Sequence, residues 1–171
     1  MKISISSRIT EQSDNKEKSF LSLDNFIKLA SKNKFDGVSL RPSMISNDSS
    51  EYLVNQAQKL FNVNNMKVSM ITSNIHVAKN DEFASDILRN ITPSLDLAEK
   101  LKTSLIRIMI KNSDDIFYAR KALDEAKERN LKLLQQTHWG TLAETLDETV
   151  TLIKKINHKN FGITFEPANL M

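Results

Sequence analysis

Two side chains stand out first by type and spacing, Gln136 and His138, in the stretch LKLLQQTHWGTLAETLDE from Leu131 to Glu148. Residues two apart on extended backbone project to the same side, so an amide and an imidazole would share one space. The imidazole can donate, accept or carry a proton, and the amide can hydrogen-bond or ligate weakly. Glu166, followed by Pro167, Ala168 and Asn169, adds a carboxylate suited to acid–base work or to holding a cation. Arg41, His76 and Lys111 add further polar groups, and the two cations suit an anionic part of a substrate. Each has a plainer structural reading. Gln136 and His138 can simply bond to loop backbone, Arg41 can pair with a surface carboxylate, and His76 can face solvent from a loop. Trp139 suits stacking on a ring, but a side chain so large more often covers the end of a core.

The elements that position these groups alternate between two periods. Leu131, Leu133 and Leu134 read as a buried strand that stops at the polar run Gln135–His138, before Gly140 turns the chain. The next helix is expected to open with a capping box, Thr141 with Glu144, and to pack through Leu142, Leu146, Val150 and Ile153. The same plan recurs along the chain. Strands are expected at Lys2–Ser6, Phe35–Leu40, Met66–Thr72, Ser104–Ile110 and Asn160–Phe165. Their exits carry Arg8, Arg41, Asn74 with His76, Lys111 and Glu166 in turn. Helices are expected at Ser22–Ser31, Ser50–Phe61 and Asp81–Leu101, the last with Pro93 as a kink or junction. A further helix opens at Ser113–Asp115 and runs to Glu128, whereas Glu11–Lys18 is charged, aperiodic and read as a loop.

Six strands starting roughly 30 residues apart match the size of a βα unit with its crossover. Two α/β architectures fit, an open doubly wound sheet and a parallel (β/α) barrel of the TIM type cut to its first six units. In both, function gathers at the carboxyl ends of the strands, where the polar exits lie. The chain has only three glycines and contains neither GxGxxG nor GxxxxGK[ST], which counts against a nucleotide-binding sheet.

Composition narrows the classes further. At 171 residues and 40% hydrophobic, the chain suits one domain with a real core. The 24 Lys and Arg against 21 Asp and Glu are scattered without a block, so nucleic acid is a poor partner. The lack of cysteine excludes disulfides and thiolate metal sites and fits the cytoplasm. No apolar run approaches the roughly 20 residues needed to span a bilayer, and Met1–Ile5 reads as strand rather than leader.

Taken in order, FDGVSLRPS, MKVSMITSN, LLQQTHWGTLAETLDE and FGITFEPANL resemble the xylose isomerase-like TIM barrels, a group of sugar and sugar-phosphate isomerases and epimerases. The resemblance covers essentially the whole chain and corresponds to the first six of eight βα units, implying one barrel domain over residues 1–171 that is incomplete at its C-terminus. It implies metal-assisted proton or hydride transfer on a small polyhydroxylated substrate. Gln136 and Glu166 fall where the family holds a divalent metal ion (Mn, Mg, Co or Zn). Glu166 and His138 fall on catalytic positions, and Arg41, His76, Lys111 and Asn169 on the substrate, with Arg8 and Asn74 lining the same mouth.

The departures carry their own implication. Gln136 replaces a carboxylate with a neutral amide, which binds a hard cation more weakly, and Glu166 is one methylene longer than the family's Asp. Ligands from a seventh and eighth strand have no counterpart, so at most half a metal shell is expected, and the metal is expected to be weak or lost. The alternative is therefore a truncated, catalytically impaired relative that acts as a partner-dependent or structural chain. Its outer strands would need self-association or a separate C-terminal part. Metal-dependent cleavage of damaged DNA, found on the same barrel, ranks lower because only His76, His138 and His158 are present and His158 precedes its strand.

Overall fold

The computed structural model describes residues 1–169, which leaves Leu170, the last residue of the FGITFEPANL motif, outside the described residues. Six strands, β1 (Ser4–Ser6), β2 (Gly37–Leu40), β3 (Lys67–Thr72), β4 (Leu105–Ile108), β5 (Lys132–Gln136) and β6 (Phe161–Thr164), form one sheet. Every pairing is parallel and the spatial order is the chain order, β1-β2-β3-β4-β5-β6. That order decides between the two architectures. A doubly wound sheet reverses direction at a switch point, whereas here each crossover advances to the next strand, as in a barrel. The sheet also curls: Thr164 Oγ1 on β6 reaches Met70 Sδ on β3 at 3.8 Å.

Alternation along the strands gives the sheet two unlike faces. Val38, Leu40, Val68, Ile71, Ile106, Ile108 and Leu133 are buried beneath the helices. Ser4, Ser6, Ser39, Ser69, Arg107, Gln136 and Thr164 turn the other way, into the concave interior. A register shift between Val38 and Ser39 pairs them with Val68 and Met70, so β3 carries one extra residue there. This bulge puts both Ser69 and Met70 on the cavity side.

The helices are α1 (Leu23–Lys32), α2 (Glu51–Val63), α3 (Ile75–Lys79), α4 (Thr92–Lys100), α5 (Asp115–Glu128) and α6 (Leu146–Ile156). Ser22, Ser50 and Asn74 cap α1, α2 and α3 by accepting a backbone N–H from the first turn, which satisfies a donor that has no partner within the helix. Phe26, Ile27, Val54, Phe61, Leu95, Leu123, Leu152 and Ile156 are the main helical contribution to the core. Among the described residues no helix is long and apolar enough to cross a membrane.

Several expectations need correction. The helix expected over Asp81–Leu101 is two pieces, a single 3-10 turn at Asp86–Arg89 and then α4, with Pro93 in the first turn of α4, where its missing N–H costs nothing. The five-residue α3 was not foreseen. The capping box that works is Thr145 with Glu148, not Thr141 with Glu144. TLAE and TLDE are adjacent copies of the same signal, and the first is consumed by the loop. Leu142 N donates to Ile110 O at 3.0 Å, His138 N to Ala143 O at 3.1 Å, and Gly140 N to Glu144 Oε2 at 2.8 Å. The apolar face assigned to α6 is also the wrong one: Thr149, Leu152 and Ile156 are buried, whereas Leu146, Val150 and Ile153 are exposed.

Candidate functional site

The concave face of the sheet encloses a cavity of about 710 Å³ at the carboxyl ends of the strands. That volume suits a small molecule. Of the residues singled out in the sequence, it brings together Arg8, Arg41, Gln136, His138, Glu166 and Asn169. His76 and Lys111 are not on its wall.

Glu166 follows β6 and is fixed from β5. Thr137 Oγ1 accepts from Glu166 N at 2.9 Å and donates to Glu166 O at 3.2 Å, and the Gln136 amide Nε2 donates to Glu166 Oε2. Asn169 Nδ2 donates to Thr137 O at 2.9 Å, so one threonine anchors both residues of the sixth exit. Gln136 Oε1 is buried and has no hydrogen-bond partner among the described residues. His138 is held at Nδ1 by Asn80 Nδ2 at 3.0 Å, and the same amide donates to Trp139 O at 2.9 Å. Trp139 O also lies 3.0 Å from Nδ1, so this nitrogen sits between a donor and an acceptor, and the contacts fit either tautomer.

Arg41 lies buried between Glu11, whose Oε1 accepts from Nε at 2.6 Å, and Ala78 O, which accepts from a terminal nitrogen at 3.1 Å. Glu11 is shared with Arg8, whose terminal nitrogen donates to Oε2 at 2.6 Å. Lys111 is a clamp: its Nζ donates to Asn80 O and Asp81 O, both at 3.0 Å, and holds the loop after α3. His76 pairs with Asp81 at 2.9 Å and packs edge-on to Phe83, lining a separate surface depression with Asn74 and Asp86. Trp139 does not cover the core as expected; it is 67% exposed.

Three contributors escaped the sequence reading. Glu11 was assigned to a charged loop, yet its side chain is fully buried between two arginines. Lys16 reaches the cavity from the same loop, and burial, followed by Arg8 and Arg41, lowers its pKa. The third is Arg107, on the inward face of β4 and only 6% exposed. Burial, then the Arg41 charge, lowers its pKa to about 9, against weaker opposing pulls from Glu166 and Glu11. The signal was available: an arginine inside the apolar run SLIRIMI, at an alternate position, marks a polar interior.

These donors do not suit a divalent cation. Among the described residues no group of three or more His, Asp or Glu side chains is placed to hold a metal ion. Gln136 is neutral and turns its N–H toward Glu166, and the cavity wall carries Arg8, Lys16, Arg41 and Arg107 against the one carboxylate. A hard cation would meet net repulsion there.

No curated protein sequence matches the chain. Among solved structures, a probable 3-DHS dehydratase, AsbF, involved in petrobactin synthesis in Bacillus anthracis, superposes with a TM-score of 0.76 at 18% identity, covering 99% of this chain and 64% of that one. A xylose isomerase-like TIM barrel protein from Mycobacterium smegmatis, in complex with magnesium, gives 0.72 at 13% identity, covering 95% of this chain and 63% of that one. D-allulose 3-epimerase from Methylomonas sp., in complex with D-allulose, gives 0.70 at 9% identity, covering 99% of this chain and 63% of that one. The chain thus spans just under two thirds of the length of these proteins, and at such identities the likeness shows the fold. The sequence model of one family also matches over residues 27–171, and on that match the chain belongs to the xylose isomerase-like TIM barrel family.

Proposed function

We propose that the cavity binds a small polyhydroxylated substrate and moves a proton on it, the chemistry of sugar isomerases and epimerases. The observation that carries this reading is the convergence of Glu166, Gln136 and His138 at one end of a hydroxyl-lined cavity. Glu166 is the acid–base group. It takes a proton from the carbon beside a carbonyl, the C–H electron pair forms the enediol double bond, and the carbonyl oxygen receives the charge. Return of the proton to the neighbouring carbon, with the enediol hydroxyl proton passing to the first oxygen, isomerises the substrate, whereas a proton delivered by solvent to the opposite face of the same carbon epimerises it. His138 Nε2 orients a substrate hydroxyl, which can donate to it or accept from it. Several family relatives are named for related chemistry, including the D-allulose epimerase, which supports the class but not the sugar.

The test is proton exchange followed by NMR in D2O, with D-allulose and D-ribulose as probes. The expected result is loss of the signal of the proton beside the carbonyl with the parent chain, and a rate about 100-fold lower or more in Glu166→Gln. Absence of exchange on both probes refutes the reading.

One observation favours a second reading, a chain that works only with a partner. β1 and β6 are the outer strands of the sheet, and α6 exposes Leu146, Val150 and Ile153 along one face beside β6. Open edges and apolar stripes invite pairing with another copy or with a separate C-terminal part. Light scattering of the purified chain tests this, and a monomer at all concentrations that also performs exchange would exclude it.

A further inference from the structure

We propose that the substrate is anionic, a carboxylate or a phosphate carried on a polyhydroxylated chain, and that its charged group seats on Arg107 while Gln136 reads an adjacent hydroxyl. This rests on the cavity being a site for a polyhydroxylated substrate and names the class it takes.

The two buried arginines of the chain differ in how they are satisfied. Arg41 has a carboxylate at 2.6 Å and a carbonyl at 3.1 Å. Arg107 has only Val77 O, at a long 3.4 Å, and its buried Nε has no partner among the described residues. No carboxylate lies within ion-pair distance of it there; Glu11 is shared by Arg8 and Arg41, and Glu166 is bound by Gln136. A guanidinium withdrawn from water without a paired counter-charge is costly to the fold, and the more distant Glu166 and Glu11 offset that cost only in part. A bound oxyanion offsets it, because the guanidinium fork presents parallel N–H groups matched to carboxylate or phosphate oxygens.

The second unsatisfied buried atom on this wall is Gln136 Oε1, an acceptor. β4 and β5 are in register with Arg107 opposite Leu134, so Gln136 is the next inward residue along β5. A donor lacking an acceptor and an acceptor lacking a donor thus stand one strand apart in one cavity. An uncharged sugar can donate to the amide and accept from the guanidinium, but it leaves the positive charge uncompensated. A hydroxylated acid or a sugar phosphate satisfies both, and Lys16 and Arg8 add charge of the right sign at the mouth.

The experiment uses three probes on one carbon skeleton, D-ribose, D-ribonate and D-ribose 5-phosphate, titrated calorimetrically into the full chain and into Arg107→Met, Arg107→Lys and Lys100→Met. One or both charged probes are expected to bind the parent about tenfold or more tighter than D-ribose, as a charge-assisted bond implies. Which of the two is preferred separates carboxylate from phosphate. Arg107→Met is expected to abolish the preference while leaving D-ribose binding in place, Arg107→Lys to restore part of it, and Lys100→Met, outside the cavity, to keep it. Equal affinity for charged and uncharged probes in the parent overturns the proposal and leaves the polyol reading intact. A preference that survives Arg107→Met in a folded variant overturns the assignment to Arg107. Binding of inorganic phosphate that depends on Arg107, with no response to D-ribose, upholds the anion site and refutes the polyol reading instead.

Discussion

Replacing Arg107 with methionine should make the protein more stable. Methionine fills a similar volume without a charge, and its flexible thioether adapts to irregular space. Burial and the neighbouring Arg41 lower the Arg107 pKa from the ordinary arginine value to about 9. At about 1.4 kcal/mol per pKa unit, keeping the guanidinium charged in the fold costs up to about 5 kcal/mol. Replacement of buried charges by apolar residues typically recovers about 1–4 kcal/mol of such a cost, and the lost 3.4 Å bond to Val77 O offsets little. A net gain of about 1–3 kcal/mol corresponds to a rise in Tm of roughly 3–9 °C for a chain of this size. The pH dependence gives an independent check. The folded pKa of a base is depressed here, so the penalty is fully present below about pH 9 and is relieved as pH rises toward the higher unfolded value. The groups coupled to Arg107 are Arg41, Glu166, Glu11 and, through its own lowered pKa, Lys16, and all four remain in the variant. The stability difference between variant and parent should therefore be flat from neutrality to about pH 9 and shrink above it. Urea denaturation at several pH values measures it. Destabilisation by Arg107→Met of more than about 1 kcal/mol would refute the reasoning, because it would make the arginine a structural anchor.

Four other substitutions test parts of the structure that sequence reasoning left ambiguous. Thr145→Ala should cost about 1 kcal/mol in urea denaturation and expose the Glu148 amide to hydrogen exchange, since Thr145 Oγ1 accepts from it at 3.2 Å. Gly37→Ala places a methyl 2.9 Å from the backbone oxygen of Lys67 on β3 and should destabilise by about 1–3 kcal/mol, whereas Gly162→Ala meets only the end of the Leu134 side chain and should cost less than about 1 kcal/mol. Lys111→Met removes the clamp on Asn80 and Asp81, so hydrogen exchange should accelerate over residues 80–86 while the preference among ribose probes stays as in the parent.

The order and type of the main elements were legible because each strand shows a period of two and each long helix an apolar repeat. The barrel-type order was not legible from periodicity, since a doubly wound sheet uses the same units; only the pairing of β1 through β6 decides it. The site was half legible. Gln136, Glu166 and His138 announced themselves as polar residues ending apolar runs. Glu11 did not, because a carboxylate in a charged stretch looks solvated until Arg8 and Arg41 are folded onto it. Lys111 and His76 were conspicuous for the same reason as the cavity residues, yet their side-chain contacts are made to the loop after α3. On α6, two apolar stripes were available, and the one that packs, Leu152 with Ile156, was not the one chosen; the helix also begins four residues later than expected, at the Thr145 cap rather than Thr141.

The chain-order sheet has a consequence for how the polypeptide assembles. Each new strand docks on the one completed about 30 residues earlier, so loop closure stays short and no strand waits for a segment far downstream. A ribosome releasing this chain would hand out β1, α1 and β2 as a nearly finished unit, then extend the edge one βα step at a time. The reach of Thr164 to Met70, across 94 positions, depends on everything between. The curvature that forms the cavity is thus the last feature to be set, and the residues that would work in it come together only when synthesis of the described segment is essentially over.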